Sequence, residues 1–176
     1  MLYVQQSLGP NEELVHIGKF HWMYTVHAFM SIFWGLVISV MLLVGSVFIY
    51  VNMGKVPPTA SVIEVIRELH PGIRALSFLA FVMGLLGFAQ KMVAKATTEI
   101  AITNTRLVFK RGLVARQVGE MNIDRIEGVN VLQSVLGRIL NYGRIMVRGM
   151  GIGEVVLPPI EDPVSFRKAI ERAKAL

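Results

Sequence analysis

The chain has 176 residues, of which 53% are hydrophobic, with ten methionines, no cysteine, and 18 basic against 12 acidic side chains for a net charge of +6. Without cysteine there is no disulfide, no thiolate metal site and no cysteine nucleophile, which is compatible with a reducing compartment. Residues 1–90 hold four basic and four acidic side chains and residues 91–176 hold fourteen and eight, so the whole surplus lies in the second half.

Residues 1–23 read as a lead-in. Pro10-Asn11 is a turn signal. Glu13 to Phe20 alternates loosely through Val15 and Ile17 and is a candidate strand for a C-terminal sheet. Trp22 and Tyr24 stand where an interfacial aromatic belt belongs.

Residues 24–96 read as a transmembrane helical hairpin. Thr25 to Val51 carries no Asp, Glu, Lys or Arg, and about 20 apolar residues suffice to cross a hydrocarbon core of about 30 Å. The run starts too late and continues too long for a signal peptide, and no small-residue cleavage site follows it. Ala75 to Gln90 is equally free of charge between Arg74 and Lys91. It becomes a second span when residues 72–95 are helical and those two cations reach the interface. The spans cover about 25–51 and 72–95, with an outer loop at 52–71.

Small residues form a stripe on each span: Ser31, Gly35 and Ser39 on the first, Ala80 and Gly84, with Gly87, on the second. In lipid, close approach at small residues is what pairs helices. Two readings stand, packing within one hairpin and association between copies. In the loop, Pro57-Pro58 breaks the chain, and Ser61 with Glu64 matches a capping box. Val62, Val65, Ile66 and Leu69 follow at helical spacing opposite Glu64, Arg67 and Glu68, and Pro71 stops the run. This reads as a short amphipathic helix on the outer membrane surface, or as a plain spacer.

Residues 97–176 change texture. Glu99–Thr103, Arg106–Arg111, Val114–Met121 and Ile126–Leu132 read as four strands separated by turns. Gln133 to Leu140 has helical spacing. Arg144–Arg148 and Glu154–Leu157 read as two further strands joined by Gly149-Met150-Gly151-Ile152-Gly153, and Pro158-Pro159 ends the sheet. Asp162 caps a last helix, Pro163 to Lys174, with proline in its first turn. The fold class is α+β: a two-helix transmembrane hairpin followed by a small antiparallel sheet domain closed by a C-terminal helix. Positive-inside bias puts this cationic domain in the cytoplasm, and two spans return the N-terminus to the same side.

Several segments together resemble the bacterial pleckstrin-homology-like (PH-like) domain of YdbS-like membrane proteins. They are Ile102-Thr103-Asn104-Thr105-Arg106-Leu107, Arg111-Gly112-Leu113, Ile123-Asp124-Arg125-Ile126, Val131-Leu132-Gln133-Ser134, Gly137-Arg138, Asn141-Tyr142-Gly143 and Ile160-Glu161-Asp162-Pro163. Gly9-Pro10-Asn11-Glu12-Glu13 and His21-Trp22 resemble the lead-in of that family. The resemblance implies a curved sheet plugged by the C-terminal helix, no enzymatic activity, a place in the bacterial inner membrane, and roles in membrane-associated assembly. It carries over no binding residues.

No constellation argues for catalysis, a cofactor or a metal. The glycine-rich 149–153 segment precedes a strand, whereas a nucleotide loop needs a helix N-terminus after it. His16, His21, His27 and His70 lack ligand spacing. Ser7, Ser134 and Ser165 lack a nucleophile-elbow context. The functional candidate is a basic cluster, Lys110, Arg111 and Arg116, flanking a tight turn. Arginine forks there suit the phosphate oxygens of anionic lipid, and the alternative is a solvated face that complies with positive-inside bias. No interleaved aromatic platform accompanies these charges, so nucleic acid is not an expected partner. The expected function is a membrane-anchored interaction or scaffold module that self-associates as a homo-oligomer or docks a protein partner. Recognition of membrane lipid through the basic hairpin is the alternative, and a multi-copy pore a third.

Overall fold

The structure is a computed structural model that describes residues 2–55, 57, 59–112, 117–150 and 153–175. The chain divides into two compact units, Met1–Tyr24 with Val93–Leu176, and Thr25–Met92.

The second unit is built from α2 (Trp22–Asn52), α3 (Val62–Glu68) and α4 (Pro71–Thr97). By length and composition α2 and α4 are each long and apolar enough to cross a membrane. A helix that is apolar all round is covered either by protein or by lipid. The chain itself covers little of these two: only Ala28 and Gly35 of α2, and Ser77 and Gly84 of α4, are buried. The helices meet where side chains are smallest. A Cβ on Gly35 would lie 2.8 Å from the Gly84 Cα, and one on Gly84 would lie 2.7 Å from the Ser31 carbonyl oxygen. Ser31, Gly35, Ala80 and Gly84 thus share one crossing, with Gly87 beside Ser31. The Phe29 and Phe88 rings lie 5.0 Å apart nearby, tilted at 42° to each other. Lys91 donates to the Ser31 hydroxyl and to the His27 carbonyl, which satisfies a cation at the end of an apolar run. The loop helix α3 forms because both halves of its capping box close: Glu64 N–H donates to Ser61 Oγ and Ser61 N–H to Glu64 Oε2. Val65 and Leu69 are buried on one face of this segment.

In the first unit, two antiparallel sheets enclose one core. The first has the order β1 (Leu14–Gly18), β2 (Glu99–Thr103), β3 (Arg106–Arg111), β4 (Gln117–Asn122). The lead-in strand thus pairs with β2, with Ile17 opposite Ala101 and Gly18 opposite Ile100. Gly18 has no room for a side chain, since a Cβ there would meet Phe166 at 3.0 Å and Ile100 at 3.1 Å. A single 3-10 turn, Ile123–Arg125, leads to the second sheet of β5 (Ile126–Leu132), β6 (Tyr142–Gly149) and β7 (Gly153–Val156). The expected strand from Val114 is described only from Gln117, because 113–116 lie outside the described residues.

Pro158-Pro159 does not end the sheet. Leu157 N–H still bonds the Ile145 carbonyl at 2.8 Å, and after the prolines Ile160–Glu161 forms β8 against Tyr142–Gly143. Proline removes ladder donors, so β7 stops, but the chain rejoins the same β6 two residues later.

The core runs across both sheets through Ile100, Ile102, Leu107, Met121, Ile145 and Val147 to Leu157 and Ile160. The helix α6 (Pro163–Ala173) plugs it with Phe166, Ala169, Ile170 and Ala173. Asp162 caps α6 by accepting from Ser165 N–H, and holds a left-handed φ of 45° to do so. In the β5–β6 connection Gln133-Ser134, Gly137 and Asn141-Tyr142-Gly143 hold one another in place. Ser134 Oγ accepts from Gly137 N–H at the start of α5 (Val135–Ile139), Gln133 Nε2 donates to the Tyr142 carbonyl, and Asn141 turns the chain at φ 56°.

The outer face of the first sheet is covered by α1 (Leu2–Ser7), whose Val4 packs on Ala101 and Val108.

Candidate functional site

The pleat of β3 separates the cations that stand together in the sequence. Leu107 and Phe109 join the central core, whereas Val108 packs under α1. Side chains alternate along a strand, so Arg106 and Lys110 share the outer face with Val108, and Arg111 continues the inner face. Each outer-face cation meets an acid. Lys110 Nζ stands 3.4 Å from Glu99, directly across in β2, and 5.1 Å above the Tyr3 ring. Arg106 bonds Glu12 at 2.8 Å and Glu120 at 2.6 Å. Burial pushes the Glu99 carboxyl up, but the N–H groups of Val4 and Tyr3 and the Lys110 charge outweigh it and hold the group below its usual range. Of the expected basic cluster, Lys110 is therefore neutralised inside the domain, and Arg116 lies outside the described residues.

The same sorting occurs on β6. Arg144 and Arg148 are exposed on one face of that strand, four residues apart. Arg148 lies opposite Glu154 of β7 and is paired with it. Arg144 lies beyond the end of β7, beside the Pro158-Pro159 segment, which carries no acid.

Arg111 and Arg144 line one cleft of about 240 Å³. Its walls are Phe20 and Tyr24, whose rings are 4.8 Å apart, together with Phe109, Val156, Leu157 and the two prolines. Ala94 and Thr98 complete it. Among the described residues, neither arginine has an acidic partner. The cleft therefore combines two uncompensated guanidinium groups with an aromatic and aliphatic wall. Such a set suits an anion carrying an apolar part: arginine forks match phosphate or carboxylate oxygens, and the rings take the rest. Tyr24 immediately precedes the charge-free run that starts at Thr25, and Ala94 follows the second run by four residues.

In the sequence Arg144 stands only as the first residue of a predicted strand and Tyr24 only as an interfacial aromatic, so neither marks a cleft. The signal was present in the β6 alternation, with Glu154 opposite one arginine and proline opposite the other.

The remaining candidates are structural. His21 is buried, stacks on Tyr142 at 5.0 Å and accepts from Met23 N–H through Nδ1. His16 meets the Phe166 ring edge-on at 5.6 Å. Gly149 and Gly153 pair across β6 and β7, so the glycine segment joins two strands, with 151–152 outside the described residues. Ser31, Gly35, Ala80 and Gly84 lie at the hairpin crossing, and Ser39, one turn along α2, lines a different cleft.

Neither curated proteins nor solved structures give a match to this sequence. A family model described as the bacterial PH domain matches residues 14–174, from β1 through the end of α6. That range takes in the lead-in strand, both sheets and the closing helix. Domains of this kind are typically binding modules without enzymatic activity. On that match, the chain belongs to the bacterial PH domain family.

Proposed function

We propose that this protein is a PH-like binding module held at the cytoplasmic face of the bacterial inner membrane by the α2–α4 hairpin, and that its cleft takes a phosphate-bearing anionic group. The carrying observation is that Arg111 and Arg144 are left without acids at an aromatic cleft, while Arg106, Lys110 and Arg148 are all paired. The phosphate belongs to a lipid headgroup or to a free phosphoester, and the cationic surplus of residues 91–176 supports the anionic leaflet as its source. The test uses the full chain in detergent. Short-chain phosphatidylglycerol and glycerol phosphate are titrated separately, with phosphatidylcholine as the neutral control. Replacing both arginines by Gln weakens phosphatidylglycerol binding about tenfold or more, the size expected on losing charge-assisted hydrogen bonds, and Lys110→Gln does not. Equal binding of phosphatidylcholine, or equal loss in Lys110→Gln, overturns the reading.

A second reading, docking of a protein partner, has its own observation. On α5, Val135 and Ile139 are 77% and 73% exposed, and Leu132 and Leu136 are exposed beside them. Exposed aliphatic patches of this kind mark interaction sites. Arg138 and Lys168 line the adjacent groove, which favours an acidic partner over a second copy of this cationic domain. Cross-linking in native membranes tests it. Val135→Asp with Ile139→Asp removes the cross-linked species if α5 is the contact, and an unchanged pattern sinks this reading without touching the first.

A further inference from the structure

The α2–α4 hairpin is tight at one level and open at the next. Gly35 and Gly84 bring the two backbones into contact. Toward the α3 end, larger residues face each other and the helices enclose a cleft of about 390 Å³. Leu36, Leu43, Phe78 and Phe81 make its apolar walls, and Ile66 of α3 closes one side.

Two polar groups in this cleft lack partners. Ser77 lines it, is only 2% exposed, and its hydroxyl makes no hydrogen bond among the described residues. A serine in an apolar helix usually bonds the carbonyl one turn back, as Ser46 does to Leu42 at 2.6 Å. Ser77 departs from that habit and keeps a donor free in an apolar site. Arg74, one turn before it, lines the same cleft and has no acidic partner among the described residues.

The dimensions limit the occupant. The cleft runs beside Leu36–Leu43 and Arg74–Phe81, each a rise of about 10 Å. A volume of 390 Å³ over that length gives a section of about 40 Å², roughly half that of an α-helix 10 Å across. An extended alkyl chain fits along a slot of that section.

We propose that this cleft is a binding site for one anionic phospholipid of the leaflet on the α3 side. An acyl chain lies between Leu36, Leu43, Phe78 and Phe81. The Ser77 hydroxyl donates to an ester oxygen of the lipid, and Arg74 takes the phosphate. The site is separate from Arg111 and Arg144, and it rests only on the reading of α2 and α4 as membrane spans.

The experiment is native mass spectrometry of the full chain released from membranes in mild detergent, followed by exchange against phosphatidylglycerol or phosphatidylcholine. The wild type retains one phospholipid and prefers phosphatidylglycerol by about tenfold, the loss expected for one charge-assisted contact. Arg74→Gln keeps the lipid but loses the preference. Ser39→Leu, which fills the cleft, loses the lipid. The same comparison is repeated in the Arg111→Gln, Arg144→Gln background, where the other cleft no longer holds phosphatidylglycerol and the remaining lipid is the one between α2 and α4, so failure of the phosphate cleft and failure of this site are read apart. Wild type without bound lipid, or Ser39→Leu with wild-type retention, overturns the proposal. Extraction of the chain by alkaline carbonate without detergent removes the membrane spans and this site together.

Discussion

Glu12 and Arg106 are 94 residues apart in sequence and form a two-bonded ion pair, Nε to Oε1 and Nη2 to Oε2, each at 2.8 Å. The Glu12 side chain is 7% exposed. Its Oε1 also accepts from the Thr103 and Thr105 hydroxyls, and Arg106 reaches on to Glu120 and to the Ser7 carbonyl. This cluster fastens the lead-in to the outer face of the first sheet. It ties the Gly9–Glu13 segment to the Ile102–Leu107 segment.

Removing one partner strands the other. Arg106→Ala leaves a buried carboxylate without its cation and destabilises the domain by about 3–5 kcal/mol. Adding Glu12→Gln to that variant restores part of the loss, because the stranded charge is gone. Chemical unfolding of the wild type, the single and the double variant in one detergent checks this. A double variant less stable than Arg106→Ala counts against the account.

Acid weakens the same cluster. Burial alone raises the Glu12 carboxyl, but the hydrogen bonds from Arg106, Gly9 N–H and Thr103, with the Arg106 charge, bring it from 4.5 down to about 2. A group lowered on folding stabilises the native state fully above its unfolded value, and that contribution disappears as the pH falls from about 5 toward 2. The shift corresponds to about 3 kcal/mol. Glu99 and Asp162 are also lowered and act in the same direction. Glu12→Gln therefore makes the acid limb of the melting temperature shallower without flattening it. A variant limb as steep as the wild type's refutes the assignment.

Gly84 sets the helix crossing. A side chain there would meet the Ser31 carbonyl and the Gly35 backbone, neither of which can rotate away. Gly84→Leu forces α2 and α4 apart and destabilises the hairpin by about 1–3 kcal/mol, the range for overpacking. Cysteines placed at Ser31 and Gly87, where a Cβ on Gly87 would lie 3.4 Å from the Ser31 Cβ, report the separation through their cross-linking rate, which falls in Gly84→Leu. An unchanged rate shows that the crossing does not depend on Gly84.

Gly137 allows the β5–β6 connection to close. A Cβ there would stand 2.6 Å from the Tyr142 carbonyl, the acceptor of the Gln133 side chain. Gly137→Ala displaces that carbonyl and costs about 1–3 kcal/mol. Amide exchange of Tyr142 to Ile145 rises as β6 loosens at this end. Protection equal to wild type would mean that the turn accommodates the methyl group.

Much of the fold was legible because its signals are local. A 27-residue run without charge, a capping box at Ser61 and Glu64, and Pro163 behind Asp162 each announce an element within one or two turns of chain. The helix α1 was not legible. Six residues without a capping side chain fall far below the length at which a helix holds itself together. It forms because the Glu99 carboxylate accepts from Tyr3 and Val4 N–H at 3.5 and 3.3 Å, and because Val4 buries on Ala101. The strand β8 was hidden by the prolines before it, which stop one strand but leave the next free to pair.

By itself the sequence determined the two apolar helices, the succession of strands and turns, and the closing helix, since spacing and composition act on neighbours along the chain. Which cations remain free was decided only by tertiary structure. Lys110 and Arg111 are adjacent in sequence, yet one faces Glu99 and the other lines the cleft with Arg144, because the strand pleat turns them to opposite sides and the opposing strand supplies an acid on only one. Charge is a property of a residue, but its compensation depends on what folding brings across from it.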